Sequence, residues 1–502
     1  MESWNHLALG FGVASTPLNL LYAFCGSALG TLVGVLPGLA PVGVVAMLLP
    51  AVLSLDATSS LVLLAGVYVG AQYGGSIRAI LVPASERAGP AATAVDGVQM
   101  SRQGRAATAL AIATLGSFFA GCVSTALIAA GAPLLGGLAS RLGPTEVCSL
   151  MVLGLVGAAV LASGSLVKAL AMIVLGMLLA QLDAGLKSGV FRLADELPRW
   201  GPGRGLSVLA IGIFGIGEII ERLGHHQARR EVVSTPQAPG RWVTREDLRL
   251  AWPAAWRGTA LGSLLGLLPG GGASLASFAA YTLEKERAGP GGRFGRGDIR
   301  AVAGPRSASN AGAHTAFLPV FTFGFAPNAV TALVLGAMTI QGVETGPQFV
   351  RDTPRLYWAL VASLWIGNAM LALLNVPWLA LWTRLSAVPY RWVFPVVLAL
   401  CAVGLATLGN HAFEVYLAAA FALLGHVFHK LNCETAPLLL GFVLGPPLES
   451  NLRLALARSA GDWSPFIVHP LSAGLLGGAV LLMVLVALPS LSKRREGTFL
   501  EE

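Results

Sequence analysis

One arrangement of residues able to do chemistry occurs twice in this chain. The first copy is Gly34-Val35-Leu36-Pro37-Gly38-Leu39-Ala40-Pro41 and the second is Gly266-Leu267-Leu268-Pro269-Gly270-Gly271-Gly272-Ala273. Each interrupts an apolar run of helical length. Proline removes a backbone donor and glycine admits dihedrals closed to other residues, so a helix stops at each pair. The N–H groups freed at the next helix start, with the positive end of its dipole, suit an anion such as a carboxylate. Pro37, Gly38, Pro269, Gly270 and Gly271 would supply that backbone, and Ser76, Ser309 and Asn310 would add hydroxyls and an amide. These three equally suit hydrogen bonds between helices. Arg78 would bring a cation to the substrate, or snorkel to the interface as a helix-end arginine does. Asp96 is the candidate for ion coupling; its other reading is a cap for a helix beginning near Ser101. Arg306 stands nearer a charged loop, which favours the interface. His314 suits a plain hydrogen bond. Glu218, Glu221 and Glu344 fit interfacial positions, and Glu449 and Arg453 are spaced for a helical ion pair.

The elements that must position these residues are membrane helices. Of 502 residues, 55% are hydrophobic and 12% charged, where a soluble domain carries about 25% charged. Apolar runs long enough to span a bilayer recur from end to end, and the short alternating segments of a β-barrel are absent. Broken backbone at membrane depth is tolerated only inside protein or beside a water-filled cavity. Paired interruptions in the two halves therefore point to a transporter's binding site, although kinked packing helices would also carry Gly and Pro. The five cysteines lack metal-ligand spacing and read as small buried hydrophobes. No basic segment precedes the first apolar run, so that run is expected to stay in the protein.

The apolar arms around the first turn cover 18–36 and 42–55, followed by 61–83, a polar loop, and runs at 106–131, 145–162 and 166–184. The stretch 205–221 is flanked by bases on both sides and is left unplaced. The second arms cover 251–268 and 272–283, followed by a basic loop at 285–304 and runs at 307–342, 356–382, 392–408, 412–430, 435–447 and 470–490. Pro37 and Pro269 stand 232 positions apart, and Met100-x-x-Gln103-Gly104 and Met338-x-x-Gln341-Gly342 are offset by 238. Such spacing marks a diverged internal repeat. The loop after the first pair of arms has no base, while its counterpart holds Lys285, Arg287, Arg293, Arg296 and Arg300. By the positive-inside rule the two face opposite sides. The expected fold is an all-α polytopic membrane protein with two inverted-topology repeats, broken or re-entrant helices, and roughly 10–12 transmembrane segments. Its expected divisions are a first repeat at 1–224, a cytoplasmic linker at 225–250, a second repeat with additional helices at 251–490, and a cytoplasmic tail at 491–502. The formal net charge of +8 lies in short clusters beside apolar runs, so it reads as topology and not as nucleic-acid binding.

The order of motifs resembles the large permease subunit of tripartite tricarboxylate transporters, the TctA family. The stretches that carry it are Gly34-x-x-Pro-Gly-Leu-x-Pro41, Tyr73-Gly-Gly-Ser-Ile77, Thr93-x-x-Asp-Gly97, Arg102-Gln-Gly104 and Gly116-Ser-Phe118. In the second half they are Gly266-Leu-Leu-Pro-Gly270, Tyr281-x-x-Glu-Lys285, Phe294-Gly-x-Gly297, Ser309-Asn-Ala311, Gly342-x-x-x-Gly346-Pro347 and Glu449-Ser-Asn-Leu-Arg-x-Ala-Leu456. The resemblance implies a permease in a bacterial inner membrane, taking up an organic carboxylate on a sodium or proton gradient. It also implies two partners, a small membrane subunit and a periplasmic substrate-binding protein, and no cofactor beyond the coupling ion. The chain departs from the family pattern at Val82-Pro83-Ala84-Ser85, at Arg306-Ser-Ala-Ser309-Asn310 and at Gly324-Phe325-Ala326-Pro327.

Two other classes carry different signatures. A membrane enzyme would need a nucleophile with its base, or metal ligands at depth, and His-Glu-x-x-His, Gly-x-Ser-x-Gly and a P-loop are all absent from the sequence. A channel or scaffold subunit would also carry broken helices, and is separated from a transporter by saturable, gradient-dependent flux.

Overall fold

The protein is described from a computed structural model covering residues 2–36, 39–82, 91–139, 141–162, 164–183, 204–224, 243–270, 272–346, 348–375, 377–386, 388–408 and 412–487. Among these residues there is no strand. The first half runs α1 (Glu2–Ala14), α2 (Pro17–Val35), α3 (Pro41–Val52), α4 (Ala57–Leu81), α5 (Ala91–Arg102), α6 (Ala106–Ala139), α7 (Pro144–Leu161) and α8 (Leu166–Asp183). It continues with α9 (Arg204–Ala210), a π-helical stretch at Ile211–Ile216, and α10 (Gly217–Gly224). The second half begins with α11 (Arg245–Leu265), α12 (Gly272–Ala288), α13 (Arg300–Thr315), α14 (Phe317–Phe323), α15 (Ala329–Ile340) and α16 (Phe349–Asp352). It ends with α17 (Pro354–Asn375), α18 (Leu379–Ser386), α19 (Tyr390–Thr407), α20 (Ala412–Lys430), α21 (Ala436–Arg458), α22 (Pro465–Val468) and α23 (Pro470–Ala487).

Seven described helices are long and apolar enough to cross a membrane: α2, α4, most of α6, α7, α17, α19 and α20. Shorter apolar helices include α3 and α15. The expected runs that fail this measure are 42–55, 166–184, 251–268, 272–283, 307–342, 435–447 and 470–490, some of them short and some charged. Among the charged ones, α11 carries Arg245, Glu246, Asp247, Arg249 and Arg257, and α13 carries Arg300 and Arg306.

Local chemistry explains where helices start. Proline opens α2, α3, α7 and α21, where a missing N–H costs nothing. Asp56 caps α4 by accepting from the Ser59 N–H at 3.1 Å. Reciprocal capping boxes start α11 (Thr244 with Asp247) and α15 (Asn328 with Thr331). Several expected boundaries shift. The polar loop after α4 contains a helix, α5, and the 285–304 loop shrinks because α12 extends to Ala288 and α13 starts at Arg300. The unplaced stretch 205–221 is helical and largely buried, with a π-helical centre. The run at 435–447 continues through Pro446 and Pro447 to Arg458. Most of the linker, residues 225–242, and the tail from 488 lie outside the described residues.

Two helix pairs are packed backbone to backbone. On α2, Gly26, Gly30 and Gly34 lie against Gly66, Gly70 and Gly74 of α4. On α11, Gly258, Gly262 and Gly266 lie against Gly304, Ala308 and Gly312 of α13. A Cβ at Gly70 would stand 2.6 Å from the Ser27 carbonyl oxygen, and one at Gly266 would stand 2.5 Å from Gly312 Cα. Small residues four apart let helices approach where lipid offers no hydrophobic drive to associate them. The pairs share one register, since α2 glycines map onto α11 with the 232 offset and α4 positions onto α13 with the 238 offset. Arg257 adds a two-pronged ion pair to Glu284, both bonds 2.7 Å, tying α11 to α12.

The halves also interlock. The C-terminal ends of α5 and α15 close alike: Arg105 donates to Met100 at 2.8 Å and Val343 to Met338 at 2.9 Å, across left-handed Gly104 (φ 76°) and Gly342 (φ 73°). Gln103 Nε2 then donates to the Arg296 carbonyl, 2.8 Å, in the connector after α12. Gln341 Nε2 donates to Ser60 Oγ, 2.8 Å, beside the connector after α3. Each half thus grips the other's connector with the same glutamine.

Gly70→Ala and Gly262→Ala should each destabilise the protein by about 1–3 kcal/mol through overpacking. Gly12→Ala on α1, where a Cβ meets nothing within 4 Å, should be neutral or gain up to about 1 kcal/mol. Thermal melts of the purified protein in one detergent compare the three, and equal melting for all would show that the close approach carries no energy.

Candidate functional site

The first turn leaves α2 at an extended Leu36, whose carbonyl accepts from Arg78 Nη1 at 3.4 Å. Arg78 is thus half-buried at the end of the broken helix and does not simply run to an interface. Pro37 and Gly38 lie outside the described residues, as does Gly271. At the second turn Gly270 adopts φ 91° and its N–H donates to the Pro327 carbonyl at 2.7 Å. Pro269 packs on α7, where a Cβ at Gly157 would stand 2.6 Å from its ring. Pro327 belongs to a third interruption, between left-handed Gly324 (φ 64°) and the α15 cap Asn328. Asn328 Nδ2 donates to Tyr68 OH at 3.1 Å. Freed backbone groups thus find partners in another break, as at Gly270, or on an intact helix, as at Leu36.

The polar heart of the molecule is a face of α13. Arg306, Asn310 and His314 follow one another every four residues and are all buried. They stand two residues on from Gly304, Ala308 and Gly312, hence about 200° around the helix. The glycine face meets α11, and the polar face meets α4 and α6. Asn310 Nδ2 donates to the Ser117 carbonyl at 3.0 Å, and His314 Nδ1 lies 2.9 Å from the Asn310 carbonyl. Ser309 Oγ reaches Gln72 Oε1 at 3.5 Å, and Arg306 Nη2 donates to the Gln72 carbonyl. Tyr73 OH donates to Asn368 Oδ1 at 2.9 Å, whose Nδ2 donates to Phe118 at 2.8 Å on α6. Buried atoms here without a hydrogen-bond partner are Arg306 Nε and Nη1, Ser307 Oγ, Asn310 Oδ1, His314 Nε2 and Ser117 Oγ. Buried polar atoms are nearly always paired, so such a concentration in one place marks a functional region.

The expected site residues divide. Ser309 and Asn310 lie in this cluster. Ser76 is buried but donates back to the Tyr73 carbonyl of its own helix at 2.7 Å. Asp96 sits inside α5, so it caps no helix near Ser101. Its Oδ1 accepts from the N–H groups of Gly297 (2.8 Å) and Asp298 (2.9 Å). Its Oδ2 accepts from Gly295 N–H (2.9 Å) and Tyr281 OH (3.0 Å). A coupling ion there would have to displace donors that hold the α12–α13 connector. Glu218, expected at an interface, pairs with Arg222 at 2.9 Å, and its Oε2 comes within 3.5 Å of a Cβ built at Gly43 in the first turn of α3. Glu449 and Arg453 do pair, at 2.6 Å. Among the described residues no group of three or more His, Cys, Asp or Glu gathers.

Sequence reasoning missed Gln72, Tyr73, Ser117 and Asn368, and it undervalued Arg306. An amide in the middle of the apolar run of α17 was the signal for Asn368. For Arg306 the signal was its spacing to Asn310 and His314; nearness to the basic loop masked it.

These features define a class: a polytopic α-helical membrane protein with broken helices around a buried polar core. The chain belongs to the tripartite tricarboxylate transporter TctA family, which it matches over residues 20–440. Membership makes it a component of a tricarboxylate transporter. It is 43% identical over 502 residues, the whole of both chains, to the "Uncharacterized 52.8 kDa protein in TAR-I ttuC' 3'region" of Agrobacterium vitis. It is 44% identical over 241 residues, 48% of this chain and all of the other, to the "Uncharacterized protein in TAR-II ttuC' 3'region" of that organism. No solved structure matches it.

Asp96→Asn should loosen the connector, because an amide cannot accept from all these donors, at a cost of about 1–3 kcal/mol. Trypsin cleavage after exposed Arg293 and Arg296 should then quicken; an unchanged rate would mean that other contacts hold the connector. A pH dependence accompanies it. Burial alone would raise the Asp298 carboxyl, but hydrogen bonds from Arg300 and Arg293 and the Arg300 charge outweigh it and hold the pKa below the ordinary range. A depressed carboxyl contributes stability above its unfolded pKa and loses it as pH falls through the folded value. Hydrogen exchange in 292–300, corrected for the intrinsic pH dependence of amide exchange, should therefore stay flat from neutrality to about pH 4 and rise only below it. A rise already near pH 6 would contradict this.

Proposed function

We propose that the chain is the large permease of a binding-protein-dependent tripartite system, taking up an organic di- or tricarboxylate across a bacterial inner membrane on a sodium or proton gradient. The observation that carries this reading is the buried polar cluster where α4, α6 and α13 meet, flanked by hairpins that each contain a helix break. Broken helices beside a polar core are what a midplane substrate site requires. Family membership supports the substrate class and the two partners, a small membrane subunit and a periplasmic substrate-binding protein. The shared glycine register of the hairpins and their opposite basic content support two halves of opposite orientation. The second reading, a channel or scaffold subunit, is favoured by no particular contact.

Proteoliposomes test the function. The chain alone should take up labelled citrate or succinate poorly, with saturable, gradient-dependent uptake appearing when both partners are added. Fast unsaturable flux would mean a channel, and full activity from the single chain would remove the partners. Orientation is read from cysteine substitutions at exposed Ser54 and Gly291 in a cysteine-free background. An impermeant reagent on intact spheroplasts should label Ser54→Cys and spare Gly291→Cys. Equal labelling of both would refute the inversion.

A further inference from the structure

Arg306 heads the fully buried large side chains among the described residues. One nitrogen, Nη2, donates to the Gln72 carbonyl, while Nε and Nη1 have no acceptor. No described carboxylate pairs with it. Glu284, also on the α11–α13 side, is engaged by Arg257, and Asp96 is saturated by the connector's N–H groups. A guanidinium stays charged wherever it is placed, so it cannot relieve burial by losing a proton. An uncompensated buried charge weakens a fold and is not kept for packing. Ser307 Oγ, which lies against Gly116 of α6, and Ser117 Oγ on α6 are hydroxyls without partners on neighbouring faces of the same helix crossing. Two N–H groups without acceptors on a fixed, planar positive charge fit an anion, and the guanidinium fork matches a carboxylate.

We propose that Arg306 is the fixed cation that binds a carboxylate of the transported anion, within the crossing of α4, α6 and α13. The assignment rests on the transport reading above and makes it more specific. The Gln72 carbonyl orients the guanidinium. The substrate's negative charge is met by a side chain. The substituent on α13 then restricts the site to anions.

Thermal melting of the purified full chain in detergent tests it, with sodium acetate, succinate, citrate and sulfate as probes. The parent should be stabilised by at least one carboxylate and not by sulfate. Arg306→Met should melt at or above the parent without ligand, because an unpaired buried charge has gone, and should lose the carboxylate shift. Arg306→Lys keeps the charge without the planar fork, so its shift should persist with affinity lowered at least tenfold. A parent-like carboxylate shift in Arg306→Met overturns this assignment alone and leaves carboxylate transport standing. An Arg306→Met protein that melts well below the parent, or fails to fold, makes the arginine structural and overturns it too. Stabilisation of the parent by sulfate only would leave an anion site but remove the carboxylate. A parent that responds to none of these carboxylates overturns the assignment, while the transport reading stands or falls on the proteoliposome uptake with both partners.

Discussion

The close approach of α2 to α4 and of α11 to α13 is the constraint on which the remaining architecture depends. Gly26, Gly30 and Gly34 face Gly66, Gly70 and Gly74; Gly258, Gly262 and Gly266 face Gly304, Ala308 and Gly312. Between helices in lipid, association rests on van der Waals contact, and a side chain at any of these positions would push the backbones apart. Every fourth residue of α4 and α13 is committed to that contact. A helix advances about 100° per residue, so residues two further on look the opposite way. These are Tyr68, Gln72 and Ser76 on α4, and Arg306, Asn310 and His314 on α13. Fixing the glycine face therefore fixes where the polar face must point.

The helix breaks are accommodated by the same economy of partners. A break frees backbone groups that water cannot reach, and each must be met by protein. Gly270 N–H is met by Pro327, the Leu36 carbonyl by Arg78, and Asn328 joins the start of α15 to Tyr68 on α4. Gln103 and Gln341, each following a helix closed by a left-handed glycine, bind the opposite half's connector. Interruptions are thus stabilised by intact helices, by connectors or by one another. No break stands alone, which is why proline and glycine in apolar runs need not unravel them.

Much of this was legible in the sequence. The Pro-Gly pairs, the 232 and 238 offsets and most helix limits follow from periodicity and punctuation, which are local signals. The glycine stripes were present as a four-residue period, but only contact distinguishes a packing glycine from a flexible one. Arg306 was drawn toward an interface because the basic loop lies close in sequence; the start of α13 at Arg300 carries it more than a helical turn inward, where it is wholly buried. Asp96 looked available because its partners, Gly295, Gly297 and Asp298, lie about two hundred positions away. Short-range reasoning sees a carboxylate and cannot see the donors that fill it. The helical state of 205–221 was hidden for a related reason: flanking bases spoke against a span, while burial among α3, α19 and α20 keeps it helical.

The two polar faces occupy equivalent places yet differ in chemistry. On α4, Ser76 satisfies itself on its own helix and Tyr68 is engaged with Asn328. On α13, the equivalent positions hold a histidine and an arginine with unpartnered nitrogen atoms. Identical backbone packing therefore supports a satisfied face in one half and an under-satisfied, charged face in the other. The shared glycine register accounts for the first feature, since it sets both helices. It does not account for the second, because nothing in helix packing asks for a guanidinium at position 306. The backbone contact with α11 on the far side of α13 keeps the face that carries Arg306 turned toward α4 and α6.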